Sequence, residues 1–338
     1  MGLRAPSYRD VRKATDRIHQ HLDPTPVLRS GRLGAYLKLE NLQMTGAYKV
    51  RGALNALSVQ VEAGDRRPVV AASAGNHSAG MAWAARTLGL ACTAVVPNGA
   101  PQSKIDATRA LGATVIVHGD RFEDSERYAR EIAAQEGCRF LHPFDDPDII
   151  AGQGSIGLEL LEYKPDVVLV PIGGGGLASG LALSLRRFGV RVVGVQVEGV
   201  DSMKRSLLGM SPLRQPAETI ADGVRVTRPG QLTRQICGEH LSGVVTVTET
   251  KVKETMVSLF TEEGLVTEGA GALATAALDQ VSGDRKIALV SGGNVDRDVL
   301  RDLLANARRS SSPEPRSERG LHSPIMDGRR GWLASIAT

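Results

Sequence analysis

Residues 168–180 read Val-Leu-Val-Pro-Ile-Gly-Gly-Gly-Gly-Leu-Ala-Ser-Gly. An uncharged apolar run of strand length meets four glycines, and small apolar residues that suit a helix follow. Strand, loop and helix in that order form the repeating unit of a parallel α/β sheet. Gly173, Gly174, Gly175 and Gly176 let successive backbone N–H groups converge, and the helix N-terminus behind them adds positive potential. The segment therefore reads as an anion cradle, most naturally for a phosphate. No Gly-Lys-Ser/Thr follows, so it is not a Walker-type nucleotide loop. A merely structural turn seldom needs four consecutive glycines, each of which costs backbone entropy. One rival stays open from spacing alone. Gly173, Gly175 and Ala178 satisfy G-x-G-x-x-A, and Glu198 ends the next apolar run, as in a dinucleotide site.

Outward from this stretch the same alternation recurs. Ser7 predicts an N-cap for a helix over 8–21, closed by Pro24 and Pro26. Strands are expected at 36–39, 69–72, 92–96, 114–117, 167–170, 192–197, 243–246 and 286–290. Helices are expected near 50–61, 77–88, 102–111, 122–135, 154–161, 177–187, 251–263 and 270–278. Strands alternating with such helices imply a parallel, wound sheet. Residues 142–148, His-Pro-Phe-Asp-Asp-Pro-Asp, are turn-rich and read as a crossing between domains. The expected division is 1–67 plus 146–307 as a large domain and 68–145 as a small one. Residues 308–338 turn Ser/Pro/Arg-rich and aperiodic, which reads as a disordered tail.

Composition narrows the function classes. Of 338 residues, 42% are hydrophobic, enough for a sizeable core. Glycine numbers 38, above the usual share and without a collagen period. Aromatic residues are only 4%, which argues against a base-stacking surface. The net charge is +4, and residues 308–338 carry six arginines against three acids. The charge thus belongs largely to the tail, and no nucleic-acid partner is expected. Cys92, Cys138 and Cys237 form no CxxC pattern, which suits a reducing cytoplasm. Residues 1–10 lack an apolar signal core, so export is not expected. The uncharged stretch 167–185 is broken by Pro171 and the glycines, so no membrane span is expected.

Three further motifs stand out, one in a turn before a helix and two where strands end. Thr45-Gly46-Ala47-Tyr48-Lys49-Val50-Arg51-Gly52 places Lys49 in a glycine-flanked turn before a helix. Alone it reads as a surface lysine; beside a phosphate cradle it could form a Schiff base. Ser73-Ala74-Gly75-Asn76-His77 spans a strand end and a helix start. Ser73 and Asn76 read as caps, or as donors facing the ligand crevice of an α/β sheet. Ser291-Gly292-Gly293-Asn294 follows a strand in the same way and alone reads as a turn.

Together these motifs make the chain resemble a fold type II pyridoxal-phosphate enzyme, of the threonine/serine dehydratase and serine racemase family. The short catabolic threonine dehydratases are the most similar group. Ile150-Ala151-Gly152-Gln153-Gly154, Thr219-Ile220-Ala221-Asp222-Gly223 and Glu268-Gly269-Ala270-Gly271-Ala272 extend the likeness over roughly residues 8–298. So many ordered motifs displace the dinucleotide reading.

The resemblance implies a two-domain α/β fold like the tryptophan synthase β chain, with twisted sheets flanked by helices. It implies pyridoxal 5'-phosphate as cofactor, an amino-acid substrate and a homodimer. Lys49 would hold the cofactor as a Schiff base and then act as base on the substrate α-hydrogen. Gly173, Gly174, Gly175 and Gly176 would bind the cofactor phosphate. Asn76 would hydrogen-bond the pyridine hydroxyl oxygen, and Ser291 would face the ring nitrogen. A neutral serine there gives a weaker electron sink than an aspartate and suits prompt β-elimination. Ser73, Asn76 and His77 would position the substrate carboxylate; His77 could equally be an ordinary buried histidine. The implied reaction takes L-threonine or L-serine to a 2-oxo acid and ammonia. Alternatives are elimination or replacement on another β-substituted amino acid, racemisation, or binding without catalysis.

Departures sharpen the reading. Racemases of this family carry a serine base where this chain has Ala74, which cannot transfer a proton. Metal-binding members carry an acid where this chain has Gln196, with Glu198 nearby; no metal is expected. The segment between Ser30 and Tyr36 is short for the family. Residues 295–338 are too few for an amino-acid-sensing domain.

Overall fold

The computed structural model describes residues 4–311. In chain order it runs α1 (Tyr8–Ile18), β1 (Val27–Ser30), β2 (Ala35–Leu39), α2 (Lys49–Glu62), β3 (Val69–Ala72), α3 (Asn76–Leu88), β4 (Cys92–Val96), α4 (Gln102–Ala110), β5 (Thr114–Val117), α5 (Phe122–Glu136) and β6 (Arg139–Phe140). It continues with α6 (Pro147–Leu160), β7 (Val167–Pro171), α7 (Gly176–Leu185), β8 (Arg191–Val197), α8 (Ser202–Leu207), α9 (Gln231–His240), β9 (Gly243–Val247), α10 (Glu249–Glu263), α11 (Gly269–Ala276), β10 (Lys286–Val290) and α12 (Arg297–Ser311).

Two sheets result. One has the order β1-β2-β10-β7-β8-β9, the other β5-β4-β3-β6. The four-stranded sheet takes its strands from the middle of the chain, and both flanks build the six-stranded one. Every neighbouring pair is parallel except β1 and β2, which run antiparallel across the tight turn between Ser30 and Ala35. The buried strands β3 and β7 are continuous apolar runs, as parallel strands covered on both faces must be.

Helix packing explains one motif. All ten residues of α7 are buried. It lies against α6 so closely that a Cβ on Gly180 would meet Gly154 N and Ile150 O, each at 2.5 Å. A Cβ on Gly152 would likewise meet Gly52 Cα at 2.7 Å. The glycines of the Ile150–Gly154 motif therefore serve backbone approach between helices rather than chemistry.

Two expectations change. The helix expected from 154 begins at Pro147. Asp146 caps it, accepting from Asp148 N at 2.8 Å and Ile149 N at 3.1 Å, with proline at the first turn. The expected tail from 308 also starts too early. Helix α12 carries Leu303, packed on the core, through to Ser311, and Arg308 and Arg309 suit the negative end of its dipole. The remainder of that tail, 312–338, lies outside the described residues. Among the described residues no helix is long and apolar enough to cross a membrane.

Beneath α2 lies a buried ionic network. Arg51, fully buried, donates Nε to Glu40 Oε2 and Nη2 to Glu40 Oε1, both at 2.8 Å. Its Nη1 reaches Glu159 Oε1 at 2.5 Å. Lys38 Nζ donates to Glu159 Oε2 at 2.5 Å and to Thr25 O at 2.7 Å. Two cations thus face two carboxylates, the balance burial demands. Burial works against the charge on Arg51, yet Glu40 and Glu159 together raise its pKa. Arg51 and Lys38 hold Glu159 below the usual carboxylate range against its own burial. The network ties the start of α2 to β2 and α6.

Candidate active site

The carboxyl ends of three strands meet at one crevice. Strand β3 leads into residues 73–77, β7 into 173–176 and β10 into 291–294. Strands β7 and β10 are direct neighbours, so their loops lie side by side. Helix α2 brings Lys49 to this place as its first residue. Gly80 of α3 permits the approach, since a Cβ there would sit 2.9 Å from Val50 N.

The glycine loop carries unspent donors. None of the backbone N–H groups of Gly173, Gly174, Gly175 or Gly176 donates to an acceptor among the described residues. The loop is clamped from behind. A Cβ on Gly174 would fall 2.3 Å from the Phe144 ring, and one on Gly176 would fall 2.9 Å from Phe144 O. Thr233 Oγ1 donates to Gly174 O at 2.6 Å, and Asp145 accepts from Gln231 N and Thr233 N at 2.9 and 3.0 Å. The carbonyls are thereby taken up on one side and the amides left for a ligand on the other. Such a nest at the start of a ten-residue helix fits a phosphate.

A second set of donors lies at the start of α3. The N–H groups of Ala74, Asn76 and His77 also have no acceptor among the described residues. Gly75 N donates to Ser73 Oγ at 3.1 Å, which fixes the loop. The His77 side chain packs inward. Its ring is buried, with Nε2 3.1 Å from Leu141 O. Burial, and then the nearby Lys49 charge, push the imidazole down to about 3, so it is neutral. What His77 offers the crevice is its backbone N–H.

Lys49 Nζ donates to Pro143 O at 2.9 Å, so the turn-rich crossing holds the amine. Burial pushes its pKa down to about 8, against the opposing pull of Glu268. A lysine near 8 keeps a sizeable neutral fraction at physiological pH, which nucleophilic attack on an aldehyde requires. Ser291 is buried and donates to Ala270 O over a long 3.3 Å, a contact that costs little to exchange.

Sequence reasoning passed over Glu268 and Asn294 as site residues. Glu268 Oε1 accepts from Asn76 Nδ2 at 2.7 Å. Burial raises Glu268 to about 7, Asp222 adds to the rise, and Asn76, Lys104 and Lys49 oppose it. Asp222 itself pairs with Lys104 at 2.8 Å. The signal was available: Glu268 heads one quoted motif and Asn294 ends another. Nothing in a linear spacing showed that they converge on Asn76.

No cluster of three His, Cys, Asp or Glu side chains suited to a metal occurs among the described residues. Gln196 is buried and spends its amide on Ile172 O, Val200 O and Lys204 N, while Glu198 is exposed.

Comparison with known proteins agrees with this geometry. Residues 18–293 match the family described as pyridoxal-phosphate dependent enzymes. The catabolic L-threonine dehydratase of Escherichia coli K12 is 45% identical over 272 residues, covering 77% of this chain and 83% of that one. The L-threonine ammonia-lyase of Thermotoga maritima is 44% identical over 278 residues, covering 80% and 69%. Among solved structures, maize serine racemase superposes with a TM-score of 0.84 at 30% identity, covering 91% and 99%. With this likeness over most of its length, the chain belongs to the pyridoxal-phosphate dependent enzyme family.

Proposed function

We propose that the protein is a dehydratase, or ammonia-lyase, of L-threonine or L-serine. Lys49 carries the reading: its buried amine donates to Pro143 O, next to Phe144, which packs against the glycine loop. When bound, pyridoxal phosphate supplies an aldehyde for amine capture and a conjugated ring that accepts electrons from the Cα–H bond. The protein does the rest. Gly173, Gly174, Gly175 and Gly176 hold the phosphate by their amides. Asn76 donates to the ring hydroxyl oxygen, and Ser291 meets the ring nitrogen with a neutral hydroxyl. Ser73 and the amides of Ala74, Asn76 and His77 hold the substrate carboxylate. Lys49, once displaced, takes the α-proton. The β-hydroxyl leaves as water, a water is regained on hydrolysis, and the net products are a 2-oxo acid and ammonia.

Ala74 separates this reading from racemisation. Inverting the α-carbon requires proton transfer on two faces, and the Ala74 methyl group has no proton to exchange. The names of the two curated relatives point the same way. We further read 68–145 as a small domain that closes on the large one and excludes water. Helix α2 shares a hydrophobic cluster with β3, α3 and β4 and so packs on that small domain. A homodimer in the cytoplasm completes the proposal. Exposed Leu42, Met44 and Val266 around the Asn41–Val266 hydrogen bond support the dimer, and three free thiols support the compartment.

The test is 2-oxo-acid release by the cofactor-loaded protein from L- and D-threonine, L- and D-serine and bulkier β-substituted amino acids. We expect turnover of L-threonine or L-serine at about 1–1000 per second. Preference for a bulkier amino acid would keep elimination and change the substrate. Inversion without oxo-acid release would overturn the proposal.

A further inference from the structure

What Asn76 can offer a ligand depends on which end of its amide faces which neighbour. An asparagine can turn by half a rotation and exchange donor for acceptor with almost no change in shape. The surrounding bonds remove that freedom. Thr45 O is a backbone carbonyl and can only accept. The atom facing it at 2.8 Å must therefore be Asn294 Nδ2. The same Nδ2 lies 2.8 Å from the Asn76 side chain, so Asn76 must present its oxygen there. That leaves Asn76 Nδ2 on the other side, where it donates to Glu268 Oε1 at 2.7 Å. One N–H of Asn76 is then spent, and the second has no partner among the described residues.

The backbone is shaped for this relay. Thr45 has φ of 66°, one of two non-glycine residues in the left-handed region among those described. Such a conformation costs about 1 kcal/mol or more and persists where surrounding structure demands it. Here it belongs to the turn that aims the Thr45 carbonyl at Asn294. Gly46 and Gly292 give the relay room. A Cβ on Gly46 would sit 2.3 Å from Asn294 Oδ1, and one on Gly292 would sit 2.3 Å from Glu268 Oε1. Residues from four separate motifs thus interlock around a single amide.

We propose that Asn294 is a positioning residue: anchored on the Thr45 carbonyl, it locks the Asn76 amide with its N–H toward the cofactor ring. This rests on the reading that Asn76 faces the cofactor. Asn294→Asp keeps the shape and replaces the donor with an acceptor. The carboxylate would repel both Thr45 O and Asn76 Oδ1, and Asn76 would turn over.

The experiment is a double-mutant cycle of Asn294→Asp with Asn76→Ala, read by the visible absorption maximum, the cofactor dissociation constant and kcat/KM. Asn294 is exposed, and melting curves will check that each variant folds. Asn294→Asp is expected to shift the absorption band and weaken cofactor binding and kcat/KM about 10- to 100-fold. In the Asn76→Ala background it should add almost nothing. If Asn76→Ala shifts the band and Asn294→Asp does not, the positioning role fails and the site reading stands. An equal effect of Asn294→Asp in both backgrounds also overturns it. If Asn76→Ala itself leaves the band and the affinity unchanged, the placement of Asn76 at the cofactor is wrong, and the inference falls with it.

Discussion

Lys49→Ala is expected to abolish the visible absorption of the lysine-bound cofactor and to cut 2-oxo-acid production by about 10³-fold or more. The glycine loop would still bind the phosphate, so the variant should retain cofactor without covalent attachment. That combination distinguishes loss of the amine from loss of the site. The unloaded wild-type protein offers a companion measurement. Burial holds Lys49 near 8, and only the neutral amine attacks an aldehyde. Below that pH its fraction falls about tenfold per unit. The rate of covalent cofactor uptake should therefore rise with pH and level off above about 8. A Lys49→Ala protein with full activity, or an uptake rate flat from pH 6 to 8, would refute this assignment.

The second large effect lies two residues further along. Arg51→Met is expected to destabilise the protein by about 3–5 kcal/mol. The substitution fills similar space and leaves Glu40 and Glu159 buried without the guanidinium that pairs with both, Lys38 and His19 touching Glu159 alone. Arg51→Lys should recover part of the loss, because an ammonium cannot reproduce the bidentate contact with Glu40. Denaturant unfolding will give the difference directly. If Arg51→Met unfolds at the same midpoint as wild type, the network does not anchor α2.

Much of this molecule was legible in its residues, for identifiable reasons. The strands at 69–72, 92–96, 114–117 and 286–290 were expected at the bounds they have, because each is a short, largely apolar run between turn signals, even at the exposed sheet edge formed by 114–117. The glycine loop was legible because four consecutive glycines have few other uses, and its amides are left without acceptors among the described residues. Strand β6, two residues long, left no comparable periodic signature, and helix α9 was passed over although its buried Leu232, Thr233, Ile236 and Cys237 have helical spacing. The start of α6 hid inside a turn-rich segment, where Asp146 and Pro147 read as a loop and act as a cap. Glu268 and Asn294 were visible as letters but not as neighbours of Asn76. Their meeting depends on β10 lying beside β7 and on α11 crossing beneath both, and no local pattern encodes that. His77 was left open between ligand and buried histidine, and packing directs its ring to Leu141 O.

The amides of the glycine loop do not distinguish a cofactor phosphate from any other oxyanion of its size. They recognise shape and charge through the main chain, with no side chain to select the rest of the molecule. Sulfate and inorganic phosphate are therefore competitors built into ordinary laboratory solutions. An anion that occupies the nest of the unloaded protein stabilises it by RT ln(1 + [L]/Kd) and must leave before the cofactor docks. The unloaded protein should melt higher in phosphate or sulfate than in chloride of equal ionic strength, and reconstitute more slowly there. The choice of buffer then fixes how much active enzyme a preparation contains.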